Sequence, residues 1–325
     1  MFDVLKWSHQ KLKELHLDRQ RKLSLLQPLE AVVEIADPKI RQASCYRTEL
    51  LGPVETALSY YVQLVRSIPG PVCLNRKNYA ENPLVKALFR SIEEMEKVLR
   101  EALNSADPDV NGREVFALMT MIKTETVVFG HKQQGSMILA DVPMRAVTFV
   151  DHNIIAPFPE LQTTMSKLPE YGLEVLAEVA MENISSLRAD LAELRERRLR
   201  LSSMQSILSG KCTTSMFFAL PEKENITKLR ELQTLLDETE REIDAAKQKI
   251  ETPEKALGHL RHIMASPESV LTLRPQSLKL NWMNVIVEDS GEPFHKIDLA
   301  EFSLNEDLRR SAILVSFDRD GIPAK

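Results

Sequence analysis

The sequence predicts a mainly α chain with a small antiparallel β-sheet, an α+β fold. It comprises an N-terminal helical region, a long antiparallel coiled-coil helical hairpin, and two short β-meanders that share one sheet. Three observations carry this expectation: two leucine heptad ladders, two blocks of period-two alternation, and a scarcity of glycine (10 residues) beside 17 prolines that fall mainly between periodic segments. The expected division is 1–123 helical, 124–160 first meander, 161–272 hairpin and 273–325 second meander.

The helical reading of the N-terminal region rests on breaks and faces. Gln27-Pro28, Asp37-Pro38, Gly52-Pro53, Pro69-Gly70-Pro71 and Asp107-Pro108 punctuate it. Asp37 and Asn82, each before a proline, place a capping side chain ahead of a residue suited to the first helical position. Val54, Leu58, Tyr61, Leu64, Val65 and Ile68 form one apolar face, and Leu84, Leu88, Ile92, Met95, Leu99 and Leu103 another.

From Thr124 to Ile155 the period changes to two. Val127 and Phe129, Met137 and Leu139, and Val147 and Phe149 are separated by the turn-forming stretches GHKQQG and DVPM. At the C-terminal end SLKLNWMNVIV, FHKIDLAEFSL and SAILVSFD read as a second meander. Two or three strands need cover for their apolar face, so the two blocks are expected to join in one sheet from which the hairpin projects.

The ladders define the hairpin. Ala180, Ile184, Leu187, Leu191, Leu194 and Leu201 alternate at steps of four and three, interrupted by Arg198 and ended by Leu208; Leu229, Leu232, Leu236, Thr239, Ile243, Ala246 and Ile250 repeat the alternation. Arg188, Arg195, Arg197, Arg198 and Arg200 on the outgoing helix would face Glu231, Asp237, Glu238, Glu240, Glu242 and Asp244 on the return. At about 1.5 Å per residue such a ladder extends roughly 50 Å. Its connection contains Met216, Phe217, Phe218, Ala219 and Leu220, an apolar run where a polar turn is usual. Either this tip packs back on its own chain, or it meets a partner protein or a membrane surface.

Composition bounds function. A net charge of -5 and a pI near 5.9 offer no general attraction to a nucleic-acid backbone. The Arg195–Arg200 cluster, set opposite acidic residues, is expected to bind none. Cys45, Cys73 and Cys212 match neither a disulfide framework nor a zinc motif, and free buried thiols in a reducing compartment are expected. The chain begins without the pattern of a secretory signal and has no long apolar run, so it reads as soluble and cytoplasmic.

No dinucleotide-binding, P-loop, nucleophile-elbow or kinase signature occurs, and no cofactor is implied. His259 and His262 share a helix face but lack a third ligand, so no metal is expected. Trp7 and Trp282 read as core or half-buried aromatics. The polar residues His131, Asp151 and His152 of the first strand block form the alternative site, for an enzyme of unspecified reaction. Adjacent Asp151 and His152 on a continuous strand would point to opposite faces. The preferred reading is a non-enzymatic scaffold or adaptor whose hairpin binds another protein or a second copy, with Met216, Phe217, Phe218 and Leu220 as its interaction tip.

Overall fold

A computed structural model of the chain describes residues 23–105, 113–134, 137–209, 222–288, 293–305 and 307–321. By compactness it divides into two units, each built from two segments: Met1–Thr56 with Leu173–Ala265, and Ala57–Gly172 with Ser266–Lys325.

In the first unit, helix α1 (23–36) buries Leu25, Leu29, Val32, Val33 and Ala36, the i, i+4, i+7, i+8, i+11 stripe of an amphipathic helix. Asp37 then accepts a hydrogen bond from the Lys39 amide (3.1 Å) ahead of Pro38, as the sequence suggests, but opens only a 3-10 turn, Pro38–Gln42. Helix α2 (Tyr46–Arg66) runs through Gly52-Pro53, which the sequence marks as a break. The residue before a proline normally avoids the helical region because its Cβ meets the ring, and Gly52 has no Cβ.

The second unit holds the sheet. After the C-terminal part of α2 it continues with β1 (Val72–Cys73) and the short helices α3 (Arg76–Glu81) and α4 (Pro83–Leu88). Asn75 and Asn82 cap them, accepting from the amides of Asn78 (2.7 Å) and Leu84 (2.9 Å). Helix α5 (Ile92–Ser105) opens on a capping arrangement in which Ser91 Oγ accepts from the Glu94 amide and the Glu94 carboxylate from the Arg90 amide. Strands β2 (Glu114–Gln134), β3 (Met137–Phe158), β4 (Leu271–Leu280), β5 (His295–Leu304) and β6 (Leu308–Asp318) follow.

These strands form one antiparallel sheet in the order β3-β2-β6-β5-β4, with β1 added parallel to β6. The two strand blocks therefore do share one sheet, joined by the β2–β6 pairing from Glu114↔Asp318 to Met121↔Ser311. Val115–Met121, expected to be helical, is a central strand instead. Val115, Ala117, Met119 and Met121 enter a core with α3–α5, while Leu118 enters a second core on the opposite face with Val65, Ile68 and Leu168. Burial on both faces erases the alternation by which a strand is recognised.

The expected turn at DVPM is absent, because β3 runs through Asp141–Met144; of GHKQQG, Gly130–Gln134 belong to β2, which pairs with β3 up to Gln134↔Met137, and Gly135 lies outside the described residues. Register shifts occur between Phe116 and Leu118, Thr120 and Ile122, and Gly130 and Lys132, each with one extra residue on β3. A left-handed residue sits at each: Ala156, Asp151 and Asp141. These are β-bulges, for which aspartate is well suited. At the other end SLKLNWMNVIV is not one strand. β4 stops at Leu280, and Asn281 Oδ1 accepts from the Met283 and Val285 amides to make a turn.

Helices α6 (Leu161–Leu208) and α7 (Glu222–Ile250) carry the two ladders; α8 (Pro253–Ala265) starts separately after Thr252. The expected single hairpin element thus ends in a distinct third helix.

Candidate interaction surface on the helical hairpin

Three cross-helix pairs establish that α6 and the α7 segment run antiparallel. Arg195 meets Glu251 (2.9 Å), Arg197 meets Glu242 (3.6 Å), and Gln205 donates to Gln233 (2.7 Å), so numbers rise on one helix as they fall on the other. The ladder is the buried stripe. Ala180, Ile184 and Leu191 on α6, and Leu232, Leu236, Thr239, Ile243 and Ile250 on α7, are all buried. Thr239 fits because its hydroxyl donates back to the Leu235 carbonyl (2.7 Å).

Charge pairing is sparser than the sequence suggests. Arg188 turns to Asp37 (2.5 Å), and Arg200 pairs with Glu196 on its own helix. The solvent-exposed pairs, Arg195–Glu251, Arg197–Glu242 and Arg200–Glu196, contribute about 0–1 kcal/mol each and act chiefly on pairing specificity, whereas the Asp37 carboxylate is buried.

Towards the far end of the hairpin, burial along α6 fades. Leu194 and Leu201 are half-buried, and Arg198 is exposed. Here Leu199, Met204, Ile207, Ile226 and Leu235 stand 37% to 61% exposed. All five lie off the ladder positions, so a search for the heptad stripe passes over them; writing out the remaining heptad positions would have found them. Of the five, Ile226 lines a groove of about 440 Å³ together with Gln205, Ser206, Leu229, Arg230 and Gln233, whereas Met204, Ile207 and Leu235 follow the other flank of the ladder. The expected tip residues Met216, Phe217, Phe218 and Leu220 lie outside the described residues.

The alternative polar site does not assemble. His152 is buried, stacked on Phe89 with ring centroids 4.6 Å apart. Its Nε2 lies 2.8 Å from the Leu88 carbonyl, which can only accept, so Nε2 carries the hydrogen and Nδ1 is left 4.0 Å from Glu94. Burial pushes its pKa down, outweighing the carbonyl and Glu94. Asp151 occupies the bulge and turns outward to Arg310 (2.9 Å). His131 is exposed near the Gly130↔Val142 pair, whereas Asp151 and His152 lie between the partners of Thr120 and Ile122. At about 3.3 Å per residue, roughly 30 Å of ribbon separates them.

No family model matches this chain, and neither the curated proteins nor the solved structures contain a significant match to it.

The remaining polar features have local structural roles. His259 Nε2 is 3.0 Å from the Lys249 carbonyl, where it caps the end of α7. Among the described residues no group of three or more His, Cys, Asp or Glu side chains is placed to hold a metal ion. Cys45 is exposed rather than buried, and Cys73 is intermediate. Trp282, expected in or near the core, is 77% exposed on the 281–284 turn, beside a cavity of about 160 Å³ that Lys86, Asn284 and His295 help to line. No described helix is long and apolar enough to cross a membrane.

Proposed function

We propose that this chain is a non-enzymatic scaffold or adaptor whose helical hairpin binds another protein along its distal half. The observation that supports this reading is the exposed apolar trio Met204, Ile207 and Leu235, each one residue before a ladder position and so on one flank of helices whose ladder residues are already engaged with each other. Clustered exposed apolar side chains on a folded domain mark surfaces that meet a partner. Interspersed Arg197, Arg198, Arg230 and Glu231 favour a protein surface over acyl chains, since a membrane-lying helix segregates its charges on one face. The separation of His131 from Asp151 and His152 along the ribbon favours this reading over the enzymatic alternative.

The test compares the full-length chain with a Met204→Glu, Ile207→Glu variant, each used as bait in affinity capture with mass spectrometry. Exposed substitutions of this type change stability by about 0.5 kcal/mol or less, so helicity and melting should hold. The expected result is loss of a specific captured protein from the variant alone. Identical captured sets would overturn the proposed surface.

A further inference from the structure

We propose that the free edge of the β2–β3 ribbon pairs with the same edge of a second copy of this chain, β2 against β2, antiparallel and centred on Val128. The ribbon lies in the unit that does not contain the hairpin, so this inference is independent of the hairpin reading.

The edge is open. β6 covers β2 only as far as Met121, and from Ile122 onward the sole ladder partner of β2 among the described residues is β3. Its outward groups can be assigned. The Arg319 amide donates to the Arg113 carbonyl (2.9 Å), so odd-numbered residues direct their backbone groups toward β6. Every bulge in the β2–β3 pair adds its residue to β3, and the alternation along β2 continues unbroken. Lys123, Glu125, Val127, Phe129 and His131 therefore direct their N–H and C=O groups outward past the last β2–β6 pair, where no ladder partner meets them among the described residues.

The same residues make the edge adhesive. Val127 is 65% and Phe129 72% exposed, and Thr124–Phe129 is exposed throughout. Natural edge strands are protected by proline, by a central charge or by cover, and Thr126–Phe129 has none of these.

Self-pairing about Val128 is the register that matches chemistry to chemistry. It sets Val127 opposite Phe129 of the second copy, a β-branched and aromatic pair, and Glu125 opposite His131 of the second copy. Glu125 is already held on this face by Lys123 (3.0 Å) and Arg145 (3.7 Å). Centring on Val127 instead sets Glu125 against Phe129 and Lys123 against His131. Centring on Thr126 sets Val127 against Glu125. Only the Val128 register joins apolar to apolar and acid to imidazole, and each contact occurs twice about the dyad.

The experiment uses the full chain with Cys45, Cys73 and Cys212 replaced by Ser. Sedimentation velocity across a wide concentration range should show a monomer–dimer equilibrium. Phe129→Lys should weaken it about tenfold or more, because two cross-strand pairs are lost per dimer. Val128 would face its counterpart as a non-hydrogen-bonded pair, with Cα atoms about 4.5 Å apart, within disulfide range. Val128→Cys should thus oxidise to a covalent dimer, and Thr126→Cys, opposite Gly130, should not. A monomer at every concentration, a dimer indifferent to Phe129→Lys, or equal cross-linking of both cysteine variants would overturn the pairing.

Discussion

At the scale of single residues, two buried polar groups carry consequences that can be measured. Tyr61 is 2% exposed, its hydroxyl makes no hydrogen bond among the described residues, and burial drives its pKa upward. A Cβ at Gly172 would lie 2.7 Å from the Tyr61 ring, so the glycine creates the space in which that ring packs. An unpaired buried hydroxyl costs about 1–3 kcal/mol. Tyr61→Phe should therefore raise the thermal midpoint or leave it unchanged, and a fall of several degrees would show that the hydroxyl has a partner. His152 makes the opposite case, a satisfied neutral imidazole. Its folded pKa lies below the ordinary 6.5, so the unfolded chain binds more protons across that window and stability rises with pH. Its contribution is complete above about 6.5 and declines as pH falls toward the folded value. His152→Gln keeps a donor for the Leu88 carbonyl and removes the titration. Melting between neutral and mildly acidic pH should be less pH-dependent in this variant; an identical slope would assign the dependence elsewhere.

At the scale of elements, legibility followed exposure. The heptad ladders could be read because each helix hides one stripe and leaves the rest in water, and the buried residues of α7 are the ladder residues. The proline-led starts at Asp37 and Asn82 could be read because capping is a local interaction. β2 could not. Its Val115–Met121 half is buried on both faces and has no period, while its other half is exposed and looks like a set of short strands. The bulges were also invisible: a left-handed Asp151 or Ala156 has no marker in the sequence, yet the Asp151 bulge is what brings His152 to the same face as Phe149. Sequence alternation correctly kept Asp151 and His152 apart but did not say which would be inside. The exposed hairpin set was readable in principle, as apolar residues off the ladder; the free edge of β2 was not, because an edge exists only once the sheet order is known.

At the scale of the whole molecule, neither compact unit is a contiguous stretch of chain. The boundaries at 56/57 and 172/173 fall inside α2 and α6, so each unit closes only when segments far apart in sequence meet. In the first unit Arg188 on α6 bonds Asp37 at 2.5 Å, Arg261 on α8 bonds Glu49 at 3.0 Å, and Ile40, between those two partners, is fully buried. Leu29, Val33, Leu50 and Val54 are fully buried as well. Burying each such side chain contributes about 1.5–3 kcal/mol, which a fragment without them forgoes. A fragment spanning Leu173–Ala265 should therefore keep the distal hairpin, whose partners it contains, but melt at a clearly lower temperature than the same helices in the full chain. Adding a second fragment, Met1–Thr56, should raise that midpoint in a concentration-dependent way, as expected for a ligand that binds only the folded form. Asp37→Ala in the added fragment should weaken the rescue, since it leaves Arg188 without its buried carboxylate. If Leu173–Ala265 alone melted like the intact chain, the hairpin would be self-sufficient and the N-terminal helices an independent addition.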